Sequence, residues 1–296
     1  MKVISVDNVN EALIRGVDLF QGETNYRTQE SRNGITREAI SPVTTVYHKP
    51  WQRVLFSKER DANPFFHLYE AIWMLAGSQD LKKLTHFNAG MANFSDEGET
   101  LNGSYGYRWR SHFKYDQLYS VVDELMEEPD SRRVVLQMWD AVDDLGSVSK
   151  DIPCNTNIYF KIRDNKLQMT VCNRSAELGV PMGPYYQVSD SFHVYMNNEW
   201  EKVKDLSANP FRLYGDFRYT HEHYPLCSDP KNFLLDCSNF VTSVVPPRRI
   251  SGNPELIDSW PSMFGGYKNK FFPEVLIPMI RAYLAHKDRK YEKCYD

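Results

Sequence analysis

Nothing in this sequence is long and apolar enough to span a bilayer, since no run approaches the roughly 20 consecutive apolar residues a transmembrane helix needs. The opening stretch, MKVISVDNVNEALIRG, also lacks the apolar core of a secretory signal. Cysteine is scarce: five residues, an odd number without paired spacing, exclude a disulfide framework and lead us to expect a reducing, cytoplasmic setting. An excess of one charge is missing too. A formal net charge of −4 and a pI near 6.1 leave no footprint for duplex nucleic acid or an anionic membrane, so any bound anion must meet local arginines. Metal ligands are also lacking, because His221 and His223 have no clear third partner, and no metal is expected. What the chain does have is core-forming material. With 42% hydrophobic and 14% aromatic residues over 296 positions, it can build one large domain or two ordinary ones.

The most informative stretch runs from Asp151 to Ser175, DIPCNTNIYFKIRDNKLQMTVCNRS. Ile158, Phe160 and Ile162 alternate with Tyr159, Lys161 and Arg163, and the alternation resumes beyond Asp164-Asn165 with Leu167, Met169 and Val171. This pattern predicts a β-hairpin with one buried face. A two-residue turn at Asp164-Asn165 pairs Cys154 with the neighbourhood of Arg174 and Ser175. A cation beside a thiol favours the nucleophilic thiolate. From the hairpin alone, a buried structural cysteine is an equally good reading.

Along the rest of the chain, Val9, Leu13, Val17 and Phe20 fall at helical spacing after a cap at Asp7 or Asn8. Asn25 to Pro42 is polar with a turn at Asn33-Gly34, and its Arg32 and Arg37 are either solvated loop charges or anion ligands. NPFFHLYEAIWML, from Asn63 to Leu75, has a capping Asn and a first-turn Pro, so it predicts a largely buried helix. Glu70 is the only acid on it. It must answer a buried cation or face a wet cleft with a raised pKa. LNGSYGYRWR (101–110) reads as a turn-rich aromatic loop, Tyr115 to Glu127 as a helix, and PDSRRVV as an apolar strand entered by Arg132 and Arg133. SDSFHVY sets His193 and Tyr195 on one strand face. Lys270 to His286 reads as a helix interrupted at Pro278, followed by a charged tail.

Taken in order, the helix with Glu70 and Trp73, NGSYGYRW, PDSRRVV, Pro153-Cys154, Asn173-Arg174-Ser175 and FHVY resemble the thymidylate synthase family, which includes phage-type deoxynucleotide hydroxymethylases. The resemblance spans residues 25–195 of a single domain, with 196–296 weakly matched. It implies an α+β fold: a large curved mixed β-sheet flanked by helices, packed back to back against its twin in a homodimer. It further implies that Cys154 adds to C6 of a pyrimidine nucleotide and that Arg174 polarises the thiol and binds the 5′-phosphate. Arg132 and Arg133 would reach that phosphate across the dimer, with Arg32 and Ser175 as further contacts. His193 and Tyr195 would hold the ribose 3′-hydroxyl. Glu70 and Tyr105 would organise water and protons, and Trp73 and Glu177 would meet the cofactor, 5,10-methylenetetrahydrofolate.

The resemblance breaks after Ser175. The family has an acid, a base-reading residue and a long buried helix there, whereas here only AELGVPMGPYYQVSD precedes SFHVY. Glu177 can stand in for the acid, but roughly two dozen residues have no counterpart. Losing such a helix opens a void far larger than single core truncations, which already cost about 2–5 kcal/mol. Either other residues fill the gap, or the chain is internally shortened, or the natural chain carries a stretch absent from this sequence. Asn155 also follows the nucleophile where many synthases carry His, as in some hydroxymethylase-like relatives, and the tail has no match to the segment that closes over folate. The leading expectation is methylation of dUMP to dTMP. The alternatives are hydroxymethylation of dUMP or dCMP and, in another class, a non-catalytic nucleotide-binding dimer.

Overall fold

Helix α1 (Val9–Gln21) forms where the 3.6-residue spacing placed it, with Asn8 as its cap. The Asn8 side chain accepts from the backbone N–H groups of Asn10 and Glu11, both at 3.1 Å, and Glu11 in turn accepts from the Asp7 N–H at 2.9 Å. Val9, Leu13, Val17 and Phe20 are buried against Ile4 and Val6 of β1 (Lys2–Val6). Each such burial is worth about 1.5–3 kcal/mol.

The computed structural model describes residues 1–31, 34–55, 57, 60, 62–178, 186–196, 201, 204, 229–243, 267 and 269–287. They fall into two units that alternate along the chain: the first is Met1–Ala62, Asp123–Leu145 and Pro153–His221, the second Asn63–Val122, Gly146–Ile152 and Glu222–Asp296. An interleaved chain of this kind is not a pair of sequential domains.

The first unit holds the mixed sheet of the expected α+β fold. Besides β1 it contains β2 (Tyr26–Ser31), β3 (Gly34–Ala39), β4 (Val43–Tyr47), β5 (Val135–Gln137), β6 (Asn155–Arg163), β7 (Lys166–Glu177) and β8 (Tyr186–Tyr195). The order is β1-β4-β8-β7-β6-β5, with the β2-β3 hairpin joined through a β3-β8 pair. One face carries the buried row Thr45, Val171, Ile158 and Leu136, while Val135 and Tyr159 on the other are about two-fifths exposed. β7 and β8 run parallel. Parallel neighbours usually need a crossover of a dozen or more residues, and here only the eight residues 178–185 connect them. This brevity matches the missing segment inferred from the sequence.

The second unit is built on α2 (Pro64–Leu75), capped by Asn63 accepting from the Phe66 N–H at 3.0 Å. With α3 (Leu81–Thr85) and two later helices it encloses an aromatic core in which Phe87 stacks on Tyr69 at 4.3 Å and on Tyr283 at 5.0 Å. Here the expected loop 101–110 proves to be largely helical: α4 (Tyr105–Tyr107) runs straight into a wide turn over Arg108–His112. The cause is tertiary. A Cβ on Gly106 would lie 2.0 Å from the Met74 carbonyl oxygen, so the glycine lets this segment press on the end of α2. Arg108 is fully buried and donates to the Asn102 carbonyl at 3.2 Å.

Helix α5 (Gln117–Glu127) starts two residues later than read, because Asp116 caps it by accepting from the Tyr119 N–H at 3.1 Å. After α6 (Pro230–Ser243), the expected break at Pro278 is displaced: a wide turn over Phe272–Leu276 leads into α7 (Ile277–Lys287), leaving Pro278 in the first turn of α7. The helical run is continuous through it, and the wide turn just before takes up the distortion a proline imposes. His221, His223 and the tail 288–296 lie outside the described residues.

Candidate active site

The β6-β7 hairpin turns at Asp164 (φ 51°) and Asn165 (φ 56°), the left-handed pair that a two-residue turn of matching twist demands. Pairing runs in uniform register from Arg163↔Lys166 to Asn157↔Cys172 and then shifts, so that Asn155 faces Asn173. Thr156 is the extra residue, a β-bulge. Its carbonyl accepts from the N–H groups of Met138 and Trp139, at 2.9 and 3.0 Å, and its hydroxyl donates to the Cys172 carbonyl at 3.1 Å. Without the bulge Cys154 would fall opposite Ser175. With it, the Arg174 N–H donates to the Cys154 carbonyl at 2.9 Å.

The Arg174 side chain completes the pair. Its Nη2 lies 3.9 Å from Cys154 Sγ, its Nε donates to the Pro153 carbonyl at 3.0 Å, and its guanidinium sits 5.9 Å from the Trp139 ring centre. A fixed cation at that distance stabilises a thiolate. Cys172, by contrast, has its thiol pushed up by burial, which makes it the poorer nucleophile. Arg174 is itself exposed and so presents its charge to solvent as well as to the sulfur.

Flanking this pair are the amides of Asn155 and Asn173, whose burial the sequence did not reveal. Asn155 and Asn173 are 3% and 4% exposed, yet among the described residues Asn155 Oδ1 and both polar atoms of the Asn173 amide have no hydrogen-bond partner. Leaving a buried polar group unmet costs about 1–3 kcal/mol, so these atoms are disposed to receive water or a ligand.

On the neighbouring strands, Ser175 Oγ lies 3.5 Å from His193 Nδ1, and His193 is paired with Glu177 on β7 and with Glu38 on β3. Burial lowers the His193 pKa, against the opposing pull of a backbone bond at Ser191 and the Glu38 charge. Tyr195 follows on β8, opposite Thr36. Glu38 was the residue missed here. The signal for it was an acid at the same strand parity as the buried Thr36.

Arg132 and Arg133 are exposed beside β5. Arg133 pairs with Glu124 at 3.0 Å, whereas Arg132 has no hydrogen-bonded or ionic partner among the described residues. Arg32 lies outside the described residues. Arg37 is half-buried, donates to the Phe20 carbonyl at 3.2 Å and lies over the Tyr26 ring at 4.5 Å.

Glu70, Trp73 and Tyr105 belong to the second unit. No partner meets the Glu70 carboxyl among the described residues, and burial pushes its pKa up to about 7. Of the two alternatives open in the sequence, the described residues therefore show no buried ion pair, and burial raises the pKa. Trp73 is 3% exposed and donates from its indole N–H to the Asp80 carbonyl at 3.1 Å, so in this structure its ring serves the core. Tyr105 lies beside Trp109, ring centres 6.5 Å apart.

The thymidylate synthase family model matches residues 27–203. A deoxyuridylate hydroxymethyltransferase of Pseudomonas phage M6 is 38% identical over 327 aligned residues, covering 100% of this chain and 88% of the relative. That alignment is longer than the chain, so the relative carries residues with no counterpart here. Two further proteins of the same description are similar over shorter spans. That of Bacillus phage SP01 is 34% identical over 56% of this chain and 52% of the relative, and that of Delftia phage PhiW-14 is 30% identical over 60% and 51%.

Proposed function

The chain belongs to the thymidylate synthase family, and from that premise we propose that it is a deoxyuridylate hydroxymethyltransferase, transferring a one-carbon unit to C5 of dUMP and completing it with water. The observation that carries the reading is the Cys154–Arg174 pair, a thiol 3.9 Å from a guanidinium on a strand end fixed by the Thr156 bulge. Hydroxymethyl rather than methyl transfer is supported by the names of the three relatives given above and by Asn155 after the nucleophile.

In this reading the Cys154 thiolate adds to C6 of the pyrimidine, which makes C5 nucleophilic. Arg174, Arg132 and Arg133, with Arg32 and Ser175, hold the 5′-phosphate by charge-assisted bonds, while His193 and Tyr195 meet the ribose. Glu70, with a pKa of about 7, is suited to give and take protons near neutral pH, and Tyr105 assists it. Glu177, half-buried at the end of β7, is the residue that would hold methylenetetrahydrofolate. That cofactor, when bound, supplies the one-carbon unit. The C5 proton leaves to a base, water supplies the hydroxyl, and departure of Cys154 from C6 restores the ring. The net exchange is dUMP, methylenetetrahydrofolate and water for 5-hydroxymethyl-dUMP and tetrahydrofolate.

The assay is tritium release from C5-labelled dUMP with methylenetetrahydrofolate, followed by product mass. Release that depends on Cys154 together with a gain of a hydroxymethyl group supports the proposal. Wild-type release no greater than that of Cys154→Ala sinks it, and a methyl product redirects it to thymidylate synthesis.

The short 178–185 connection favours a second reading, a dimer that binds nucleotide without turning it over, because the base-reading segment has no counterpart. Calorimetric titration with dUMP, dCMP and dTMP separates the two. An intact reader prefers one base by about tenfold or more, which is about 1.4 kcal/mol, whereas phosphate and ribose contacts alone bind all three alike. A homodimer is part of either reading and is supported by the exposed sheet face at Val135 and Tyr159.

A further inference from the structure

Strands β3, β8 and β7 lie side by side, and their registers place Glu38, His193 and Glu177 in one row. Glu38 is only 7% exposed. A buried carboxylate is costly unless it is paired and hydrogen-bonded, and this one is met from two neighbouring strands. From β2, Arg27 donates through Nε at 3.1 Å and Nη2 at 2.9 Å, and the Gln29 amide donates as well. From β8, the Ser191 hydroxyl adds a further bond. Burial pushes the Glu38 carboxyl up, but these bonds and the charges of Arg27 and His193 outweigh it, so it stays ionised below the usual carboxylate range.

A permanently charged group held this firmly needs a purpose beyond the strand pairing, which any residue could supply. Its cross-strand neighbour is His193, whose Nδ1 lies 3.5 Å from Ser175 Oγ. An imidazole binds a hydroxyl well only when its orientation and proton placement are fixed by groups around it. Glu38 supplies the fixed charge next to the ring and, through Ser191, ties down the strand that carries it.

We propose that Glu38 is a positioning residue for nucleotide binding: acting through His193, it sets how tightly the 3′-hydroxyl of the sugar is held. The step rests on the ribose role of His193 proposed above. A merely structural role would instead weaken every nucleotide equally.

The test is calorimetric titration of wild type, Glu38→Gln and His193→Ala with dUMP and with 2′,3′-dideoxyuridine 5′-monophosphate, which lacks only the 3′-hydroxyl. Wild type should prefer dUMP by about tenfold. His193→Ala should abolish that preference. Glu38→Gln should lose most of it while binding the dideoxy nucleotide as wild type does. Should Glu38→Gln fail to fold, Ser191→Ala removes one of the carboxylate's bonds more gently and should show a partial loss of the same ratio. Equal weakening toward both nucleotides, or an unchanged ratio in both variants, overturns the proposal. A wild type that binds both nucleotides alike removes the ribose role of His193 and the proposal with it. A wild type that binds neither strikes at the nucleotide reading itself.

Discussion

Glu70→Gln should make the ligand-free protein more stable at pH 8 than the wild type while leaving the two alike near pH 4.5. In the folded chain burial holds this carboxyl at about 7 rather than 4.5, and no partner among the described residues offsets it. The sign follows from proton linkage. A carboxyl whose folded pKa is raised binds its proton more tightly in the native state, so stability is lost as pH rises between the two values. The gap is about two and a half decades at about 1.4 kcal/mol each, or roughly 3 kcal/mol; because Glu70 keeps some solvent contact, about 2–3 kcal/mol is the fair expectation. Gln has nearly the same shape and does not titrate, so any packing cost of the swap is independent of pH. Urea unfolding at pH 5, 6, 7 and 8 reads the difference through the transition midpoints. The wild type should fall behind the variant progressively across that window and no further above pH 8. If the two curves stay parallel, Glu70 is already ionised at pH 5, and both its burial without a partner and its proposed work as a proton carrier are wrong.

Gly106→Ala should cost about 3 kcal/mol or more in thermal or chemical unfolding, because its methyl would meet the Met74 backbone oxygen at 2.0 Å and backbone yields less than a side chain; a loss below 1 kcal/mol would mean the α4 segment does not press on α2. Asn173→Leu should stabilise the ligand-free protein by about 1–3 kcal/mol, since it replaces with carbon two buried polar atoms that no described residue meets, and a clear loss would indicate that the amide is already satisfied. If the arginines beside β5 serve a partner's site, mixing Cys154→Ala chains with Arg132→Ala/Arg133→Ala chains should restore part of the activity, because some mixed dimers keep one intact composite site. A mixture that remains inactive while mixed dimers form would show that each chain uses its own arginines.

The elements that local chemistry specifies were legible in the residues. Four apolar side chains at helical spacing and an Asn cap define α1, Asn63-Pro64 opens α2, and Asp164-Asn165 accepts the left-handed turn of the β6-β7 hairpin. Each depends on residues within a turn or two of one another. That hairpin also brought Cys154 near Arg174, because register propagates from a turn along both strands. What the sequence could not choose was which residue faced the cysteine. The Thr156 bulge made that choice, and it is held by N–H groups of Met138 and Trp139 on a chain segment that periodicity within the hairpin never samples. Likewise, NGSYGYRW reads as a loop by composition but coils because Gly106 meets the end of α2. Glu38 passes for a surface acid until β2, β3 and β8 assemble around it. Periodicity and turn chemistry act between neighbours in sequence, whereas a bulge, a backbone contact and a buried charge are settled by groups that become neighbours only on folding.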